Sequence, residues 1–444
     1  MTRILYWNIE KFAKNKIDND DGQNFERGTT ITKQDASAAR LDYIIEHFGN
    51  ANNRPDLFVV VEVQTGYDGP GYLVRGSGAQ GAADLLAEIR TQTNNDHWML
   101  VPPLQTGRRE AVAIYYDSSN YAFTGPRAWG GGNGPDVDSD TEMQQDEPKY
   151  PAPFADALPD RVVPDGLPNA GKNEQTLAAG VEFTYAANTM LGTAGNAVGF
   201  DRRAPYWATF AEVDFTPDPP DVRRQISIFA IHAPAAVNLA QDFLTLLGGI
   251  AEIVDNIGDN EVRVVVGDFN VNLLNNDGTL TKNVAYNALP NFALGIDRLG
   301  DAPDPVAAYI GYFATHIRPS GNATYWTTEK RTDYYPGYGC PGSEQIRNFF
   351  AIDNIFVQYG AHAPGQLDNV TIMSGISGAP FEDYPPLDHT NPGHYPFDPA
   401  MVDFMVPPDT AAQFEIAIRS RFVSWNNYRR VRSTSDHLAI MADI

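Results

Sequence analysis

The sequence predicts an α/β (α+β) fold in which helices cover a mixed β-sheet core. Short apolar runs rich in β-branched and aromatic residues, each ended by turn residues, predict strands, several of them buried on both faces. Segments with an apolar residue every three or four positions predict helices between some of these strands. Because other strands follow one another without a helix, we expect parallel and antiparallel pairs in the same sheet.

The strand-like runs extend from the first residues to the last. They cover positions 4–9, 57–63, 98–101, 111–116, 206–215, 226–232, 262–266, 351–357 and 438–444. The helical segments cover positions 38–48, 82–89 and 239–257. The third has Phe243, Leu246, Leu247, Ile250 and Ile253 as an apolar stripe, so a single long helix is predicted there.

Three stretches rich in Gly, Pro, Asn and Asp interrupt this alternation, at approximately 125–201, 275–348 and 373–408. We expect them to be loop insertions into one domain that spans residues 1–444. Acidic residues are concentrated between positions 136 and 147 of the first insertion. This segment is predicted to be either a solvated acidic loop or a structural Ca²⁺ site.

The composition excludes several classes of protein. The 444 residues include 32 Lys and Arg against 56 Asp and Glu, a formal net charge of −24, which excludes a generally basic nucleic-acid coat. The single cysteine, Cys340, excludes an intramolecular disulfide and a zinc site built from thiolates. The chain has no apolar run of about 18 residues and no signal-peptide pattern at its start. We therefore expect no transmembrane segment, and a cytoplasmic protein or one exported without a conventional signal peptide.

Polar residues occur where many of the apolar runs end or begin. Such positions present side chains in the loops above a sheet, where binding and catalytic groups are common. Their recurrence along the chain predicts one shared site. The residues are Asn8, Glu62, His232, Asp268, Asn270, Asp353, Asp436 and His437.

The acidic members of this set predict a metal site. Glu62 ends an apolar strand, where an unpaired carboxylate is costly, so it needs a cation or a salt bridge. A hard ion such as Mg²⁺ prefers carboxylate and amide oxygens, which Glu62 and Asp436 would supply with help from Asn8, Asp268 and Asn270. A strand-end cap is the alternative for any one of these residues.

The two histidines predict acid–base chemistry beside the metal. A carboxylate that accepts a hydrogen bond from the Nδ1 atom fixes the tautomer of an imidazole, and we pair His437 with Asp353 in this way. A structural role is the alternative for a lone histidine. A metal, an acid and an imidazole together are what phosphoester hydrolysis requires.

Arginines precede several of the motif strands and are candidates for binding substrate phosphate. Arg suits this task because its guanidinium binds phosphate through two parallel hydrogen bonds. A solvated helix end is the alternative for the last cluster. The candidates are Arg109, Arg203 and Arg432, and Trp425 and Tyr428 near the last of them are candidates for stacking on bases.

Taken together, these motifs resemble the endonuclease/exonuclease/phosphatase superfamily, which includes the DNase I-like nucleases. They occur in the family's order and run nearly from end to end, leaving only the insertions uncovered. The motifs are Trp7-Asn8-Ile9-Glu10, Val61-Glu62, the strand 111–116, His232-Ala233-Pro234, Gly267-Asp268-Phe269-Asn270, Ile352-Asp353-Asn354-Ile355 and Ser435-Asp436-His437.

The resemblance implies a four-layer sandwich of two mixed β-sheets flanked by helices, and a catalytic domain that cleaves phosphoesters with Mg²⁺ or Mn²⁺. It implies Glu62 as the principal metal ligand, with Asn8 and Asp436 close by. Asp268 and Asn270 would orient water, phosphate or a second ion. His437, held by Asp353, would be the base or phosphate-binding imidazole, and His232 the acid.

The resemblance favours a nuclease that acts on DNA or RNA. A phosphomonoesterase or a lipid phosphodiesterase, of the inositol phosphatase or sphingomyelinase type, stays open as an alternative. The segment Asp353-Asn354 weakens the inositol phosphatase alternative, because those members often have Asp-Arg there. A non-catalytic binding scaffold is a further alternative.

Overall fold

Two six-stranded β-sheets form the framework of the molecule. The computed structural model describes residues 1–26, 31–52, 54–66, 74–107, 109–125, 203, 205–217, 221–273, 283–294, 315–316, 352–373 and 433–444. The first sheet has the order β11-β12-β1-β2-β4-β3 and the second β5-β6-β7-β8-β10-β9. Within each sheet one pair is parallel, β1 with β2 and β7 with β8, and the other pairs are antiparallel.

The strands and helices have the following bounds. The strands are β1 (Arg3–Phe12), β2 (Leu57–Gln64), β3 (Trp98–Gly107), β4 (Glu110–Asp117), β5 (Tyr121–Gly125), β6 (Tyr206–Asp214), β7 (Asp221–His232), β8 (Glu261–Asp268), β9 (Ala293–Leu294), β10 (Asp353–Tyr359), β11 (Asp368–Met373) and β12 (Ala439–Asp443). The α-helices are α1 (Lys33–Gly49), α2 (Ser77–Thr93), α3 (Val237–Leu247) and α4 (Ala251–Val254). Short 3-10 helices cover Lys14–Lys16 and Val284–Ala288.

Adjacent residues of β4 show how the layers are stacked. Tyr115 points away from the second sheet, and its hydroxyl donates a hydrogen bond of 3.0 Å to the carbonyl oxygen of Ala82 on α2. Tyr116 points the other way, with its ring centroid 5.2 Å from that of Phe210 on β6. Successive side chains of a strand alternate between its two faces, so one face of the sheet packs on helices and the other on the second sheet.

The second sheet repeats this arrangement on its outer side. Phe356 of β10 stacks on Tyr286 of the second 3-10 helix, at a centroid distance of 5.4 Å. The side chain of Asp353, three positions earlier on β10, accepts a hydrogen bond of 2.7 Å from the Tyr6 hydroxyl of the first sheet. The predicted α/β fold, a four-layer sandwich of two mixed sheets with helices outside, is therefore confirmed.

The prediction of one helix over 239–257 is wrong. Helix α3 ends at Leu247, and α4 begins only at Ala251. Gly248 lies so close to the second 3-10 helix that a β-carbon on it would be 2.7 Å from the carbonyl oxygen of Ala288. The apolar stripe continues through the break because Phe243, Leu247, Ile250 and Ile253 are all buried in the same core cluster, and the period alone does not reveal the interruption.

The acidic segment 136–147 lies outside the described residues, as do the insertions 125–201 and 373–408 except for their first positions. Of the insertion 275–348, positions 283–294 and 315–316 are described, and they include a 3-10 helix and β9. Among the helices of the described ranges, none is long and apolar enough to cross a lipid bilayer.

Asp56, just before β2, predicts a pH-dependent stability at the end of the sheet opposite the candidate site. Burial raises its pKa from 3.8 to about 6, although the Arg3 backbone N–H donates to its carboxylate at 2.8 Å. The raised pKa favours the native state while Asp56 is protonated, and this contribution is lost as the pH rises to about 6. Asp56→Asn should therefore raise the free energy of unfolding by about 2–3 kcal/mol at pH 8 and by little at pH 4. Urea unfolding at both pH values, with the exposed Asp42→Asn as control, measures this difference.

Candidate active site

The predicted site residues meet at one end of the sandwich because of the strand directions. The parallel pairs β1/β2 and β7/β8 bring their carboxyl ends to this end, carrying Glu62, His232 and Asp268 among others. Strands β10 and β12 run antiparallel to β8 and β1, so they begin at the same end. Asp353 is the first residue of β10, and His437 lies two residues before β12.

A distortion in β1 and β2 directs Glu62 into the site. The register of β1 on β2 shifts between Asn8 and Phe12, and that of β2 on β4 shifts between Val60 and Val63. Glu62 itself has φ 59°, a left-handed backbone conformation that is rare in strands. Bulges of this kind redirect a side chain out of the normal alternation.

The Glu62 carboxylate is held by two donors from β1. The Asn8 side-chain amide donates to Oε1 at 3.2 Å, and the Lys11 backbone N–H donates to Oε2 at 3.0 Å. The Asn8 side-chain oxygen accepts from the Glu10 backbone N–H at 3.0 Å. Asn8 is completely buried, and its side-chain amide holds the Glu62 carboxylate in place.

The turn after β8 places Asp268 and Asn270. A β-carbon at Gly267 would lie 2.0 Å from the carbonyl oxygen of Ile231, so glycine is required for β7 and β8 to approach here. Asn270 has φ 49°, and its backbone N–H donates to the Asp268 carboxylate at 2.8 Å. Its side-chain amide donates to the carbonyl oxygen of Ala233 at 2.8 Å.

His437 and Asp353 form the predicted pair. The Nδ1 atom of His437 lies 2.8 Å from a carboxylate oxygen of Asp353, and the other oxygen accepts from Tyr6. Burial would lower the pKa of His437, but the carboxylates of Asp353 and then Asp268 outweigh it and raise the pKa well above its usual value. The Nε2 atom of His437 faces the site as a donor at neutral pH.

His232 has a carboxylate partner that the sequence did not reveal. Its Nδ1 atom lies 2.7 Å from Glu110, whose other oxygen accepts from Arg203 at 2.8 Å. Burial would lower the pKa of His232, but Glu110 and, more weakly, Glu62 outweigh it, so the net shift is upward. Glu110 begins β4, directly before the apolar run, and this position is the only sequence signal that marks it.

Asp268 lies between the two histidines. One of its oxygens is 3.4 Å from Nε2 of His232 and 3.7 Å from Nε2 of His437. Asp353 is its direct neighbour across the antiparallel pair of β8 and β10. Burial and, next, repulsion from Asp353 raise the pKa of Asp268 to about 6. The buried carboxylate is therefore ionised above about pH 6 and carries a proton below it.

Asp436 also lies near His437, beside a histidine that the sequence analysis did not single out. The Nε2 atom of His316 is 4.0 Å from one Asp436 oxygen, and Nε2 of His437 is 3.8 Å from the other. His316 and His437 form an isolated antiparallel β-bridge. His316 falls inside a segment interpreted as an insertion, so no strand pattern drew attention to it.

Side-chain hydrogen bonds to the backbone fix the segment that carries Asp436 and His437. The Ser435 hydroxyl donates to the carbonyl oxygen of Asn8 at 2.6 Å and accepts from the His437 backbone N–H at 3.0 Å. The indole N–H of Trp7 donates to the His437 carbonyl oxygen at 2.9 Å. The first and last motifs of the chain are therefore joined directly.

Arg40 of α1 supports the same segment from a fully buried position. Its guanidinium donates to the carbonyl oxygens of Ser433 at 2.9 Å and Thr434 at 2.5 Å, and to that of Lys16. Arg40→Met would leave these carbonyls buried without the charged donor, so we expect a loss of about 3–5 kcal/mol in the free energy of unfolding. Urea unfolding measures the loss, and Arg40→Lys should recover part of it. An unchanged midpoint in Arg40→Met would contradict this role.

Two of the arginines predicted to bind phosphate, Arg203 and Arg109, lie in the described part of the chain and differ in their contacts and exposure. Arg203 is bound to Glu110 and to the carbonyl oxygen of Ala233. Arg109 is exposed and has φ 71° in the turn before β4, next to Glu110. Arg432, Trp425 and Tyr428 lie outside the described residues.

Glu62 and Asp268 offer carboxylate oxygens, the ligands that a hard divalent cation prefers. Ligand atoms of Glu62, His232 and Asp268 lie within 4.8 Å of one another. Burial and, next, repulsion from Asp353 raise the pKa of Asp268 to about 6, so its negative charge is disfavoured here. A cation between Glu62 and Asp268 would offset this repulsion. The carboxylates that converge on this end are Glu62, Glu110, Asp268, Asp353 and Asp436.

No family sequence profile matches the chain, and no curated protein sequence matches it. Solved structures resemble it over its whole length at low identity. A humanized TDP2 from D. rerio has 8% identity and a TM-score of 0.37, covering 100% of this chain and 98% of its own. An endonuclease/exonuclease/phosphatase family protein from Bacteroides thetaiotaomicron has 9% identity and a TM-score of 0.37, with coverages of 100% and 96%. A mannosyl-6-phosphatase from the same organism has 8% identity and a TM-score of 0.36, with coverages of 100% and 98%.

These identities and TM-scores are too low to transfer a substrate or a residue role. The fold itself follows from the two mixed sheets, their strand order and the motif residues at one end of them. The chain has the α/β architecture of two mixed six-stranded sheets that the sequence resemblance to the endonuclease/exonuclease/phosphatase superfamily predicted.

Proposed function

We propose that the protein is a divalent-metal-dependent phosphodiesterase that hydrolyses phosphodiester bonds of DNA or RNA. The observation that carries the proposal is the arrangement of two imidazole–carboxylate pairs, His437–Asp353 and His232–Glu110, around the buried Asp268. Hydrolysis of a phosphoester needs one group to take a proton from water and another to give a proton to the leaving oxygen. Two imidazoles on opposite sides of one carboxylate supply this geometry.

Glu62 and Asp268 would hold Mg²⁺ or Mn²⁺, with Asn8 positioning Glu62 and Asp436 close by. When bound, the ion neutralises charge on the phosphate oxygens. The Asp268 carboxylate orients the attacking water and accepts its proton. His437, kept protonated by Asp353, donates a hydrogen bond to a phosphate oxygen. His232, supported by Glu110, protonates the leaving oxygen.

We choose nucleic acid as the substrate because of the sequence resemblance to the DNase I-like nucleases and because of the position of Arg109. Arg109 is exposed beside Glu110 at the end of the sandwich that holds the site. The net charge of −24 limits binding to local positive groups, so non-specific affinity for nucleic acid should be modest and lost at moderate salt.

A substrate panel tests this function. Plasmid DNA, single-stranded DNA, RNA, a phosphoinositide, sphingomyelin and a sugar phosphate are incubated with the full chain and Mg²⁺ or Mn²⁺, with EDTA as control. The Glu62→Gln protein, purified identically, excludes a contaminating nuclease. We expect cleavage of nucleic acid that EDTA abolishes. Cleavage confined to lipids or to phosphomonoesters would overturn the choice of substrate, and no metal-dependent hydrolysis would favour a binding scaffold.

A further inference from the structure

We propose that His316, Asp436 and His437 form a second metal site, selective for a transition ion such as Zn²⁺, and that its occupation inhibits the hydrolytic reaction. The inhibition rests on the proposed function, whereas the binding of the ion does not. This site adjoins Asp268, which lies 3.7 Å from the same Nε2 atom of His437, and its donors are two imidazoles and one carboxylate.

The distances between the donor atoms suit a small ion. Nε2 of His316 is 4.0 Å from Asp436, and Nε2 of His437 is 3.8 Å from the same carboxylate. Ligand atoms of all three residues lie within 4.8 Å of one another. A tetrahedral ion with bonds of about 2.0–2.1 Å separates its ligand atoms by about 3.4 Å. Each of these two His–Asp separations would have to shorten by about half an ångström to reach that value.

The backbone around these donors is held on both sides. His316 and His437 are joined by the β-bridge, and the Leu438 backbone N–H donates to the carbonyl oxygen of Thr315 at 2.7 Å. The Thr315 hydroxyl also accepts from the backbone N–H groups of Ile352 at 3.1 Å and Asp353 at 2.9 Å. A fixed backbone lowers the cost of ordering the ligands when an ion binds.

The donor types select the ion. Two imidazoles and one carboxylate match zinc and related first-row ions, whereas Mg²⁺ prefers oxygen donors alone. His437 already has its Nδ1 atom on the Asp353 carboxylate, which is the usual outer partner of a histidine that binds zinc. The side chains of His316 and Asp436 are 20% and 19% exposed, so an ion has access from solvent.

Occupation of this site would remove a group that the reaction needs. The proposed mechanism uses Nε2 of His437 as a donor to phosphate, and the same atom would be a ligand of the second ion. A metal-bound Nε2 has no proton to donate. Zn²⁺ should therefore inhibit hydrolysis even when Mg²⁺ is present in excess.

Binding is tested on the full chain in saturating Mg²⁺, which keeps the proposed site at Glu62 and Asp268 filled. Calorimetric titration with Zn²⁺ should show one site, and Co²⁺ should give the intense visible absorption of a tetrahedral complex. We expect His316→Ala to weaken Zn²⁺ binding by about 100-fold or more and to abolish the Co²⁺ spectrum. His362→Ala is the matched control, because His362 also faces an aspartate, Asp259, at 3.7 Å but is 73% exposed.

Two further variants test whether Zn²⁺ binds to other histidines or to the cysteine of the chain. The His389→Ala/His394→Ala double variant and Cys340→Ser remove ligands elsewhere in the sequence, and both should bind Zn²⁺ as the native chain does. Loss of binding in either of these, or unchanged binding in His316→Ala, would overturn the proposed site.

Inhibition is measured separately from binding. For each variant that hydrolyses substrate, the rate is measured with and without Zn²⁺. The Zn²⁺ concentration that halves the rate should be at least about 10-fold higher for His316→Ala than for the native chain. Glu62→Gln should retain the Zn²⁺ site while lacking hydrolysis, which separates failure of the proposed function from failure of this site. Equal inhibition of the native chain and His316→Ala would refute the inhibitory role.

Discussion

Glu62→Gln is expected to lower the rate of metal-dependent hydrolysis by roughly 1000-fold or more, since the stabilisation that a bound ion supplies amounts to several kcal/mol. The side chain has the same shape, and its oxygen can still accept from the Lys11 backbone N–H. It lacks the negative charge that holds a divalent ion. Turnover at saturating substrate and calorimetric binding of Mg²⁺ to the variant measure the two consequences.

The controls for Glu62→Gln separate catalysis from folding. Urea unfolding should show a free energy close to that of the native chain, because the neutral amide removes repulsion toward other carboxylates of the site. The exposed Glu46→Gln on α1 tests for a general effect of the lost charge. Full activity in Glu62→Gln, or equal losses in both variants, would show that Glu62 is not a metal ligand.

Asp353→Asn is expected to lower the turnover number by about 100- to 10000-fold, the usual range for loss of acid–base catalysis. Asp353 is completely buried and joins His437 at 2.8 Å to Tyr6 at 2.7 Å. The neutral amide cannot stabilise the imidazolium form, so the pKa of His437 should fall toward its ordinary value of 6.5. The alkaline limit of activity should move to lower pH, which a pH–rate profile measures.

The same substitution has a defined effect on stability. Because the native pKa of His437 is raised, its protonation stabilises the fold fully below about pH 6.5, and this contribution is lost as the pH rises through the raised value. Asp353→Asn should therefore destabilise the protein more at pH 6 than at high pH. Urea unfolding across this range and the NMR titration of His437 measure it. An unchanged pKa of His437 would contradict the pairing.

The central strands could be predicted from the sequence because they are buried on both faces. Strands β2 and β8 are nearly continuous apolar runs, which such burial requires. Strands β5, β9 and β11 were not predicted. Two of them are edges of the second sheet and one is an edge of the first, where one backbone side is unpaired and no long apolar run is needed.

Most site residues could be predicted because their position in the sequence carries the signal. Glu62, His232 and Asp268 each end an apolar run, Asp353 interrupts one, and His437 directly precedes one. Glu110 also begins a run but was not selected, and its importance becomes visible only in its contact with His232. Tyr6 is hidden within an apolar strand, and only the approach of the two sheets shows that its hydroxyl reaches Asp353.

The local pattern of the sequence determined the type of each central element and the polar residues at their ends, because burial and strand alternation act over a few neighbouring positions. The tertiary structure decided which of these residues touch. Asp268 faces two histidines, one 36 positions before it and the other 169 after it, because β7, β8 and the approach to β12 end together. Such distances along the chain leave no local signal, since sheet pairing and the packing of two sheets depend on the whole chain.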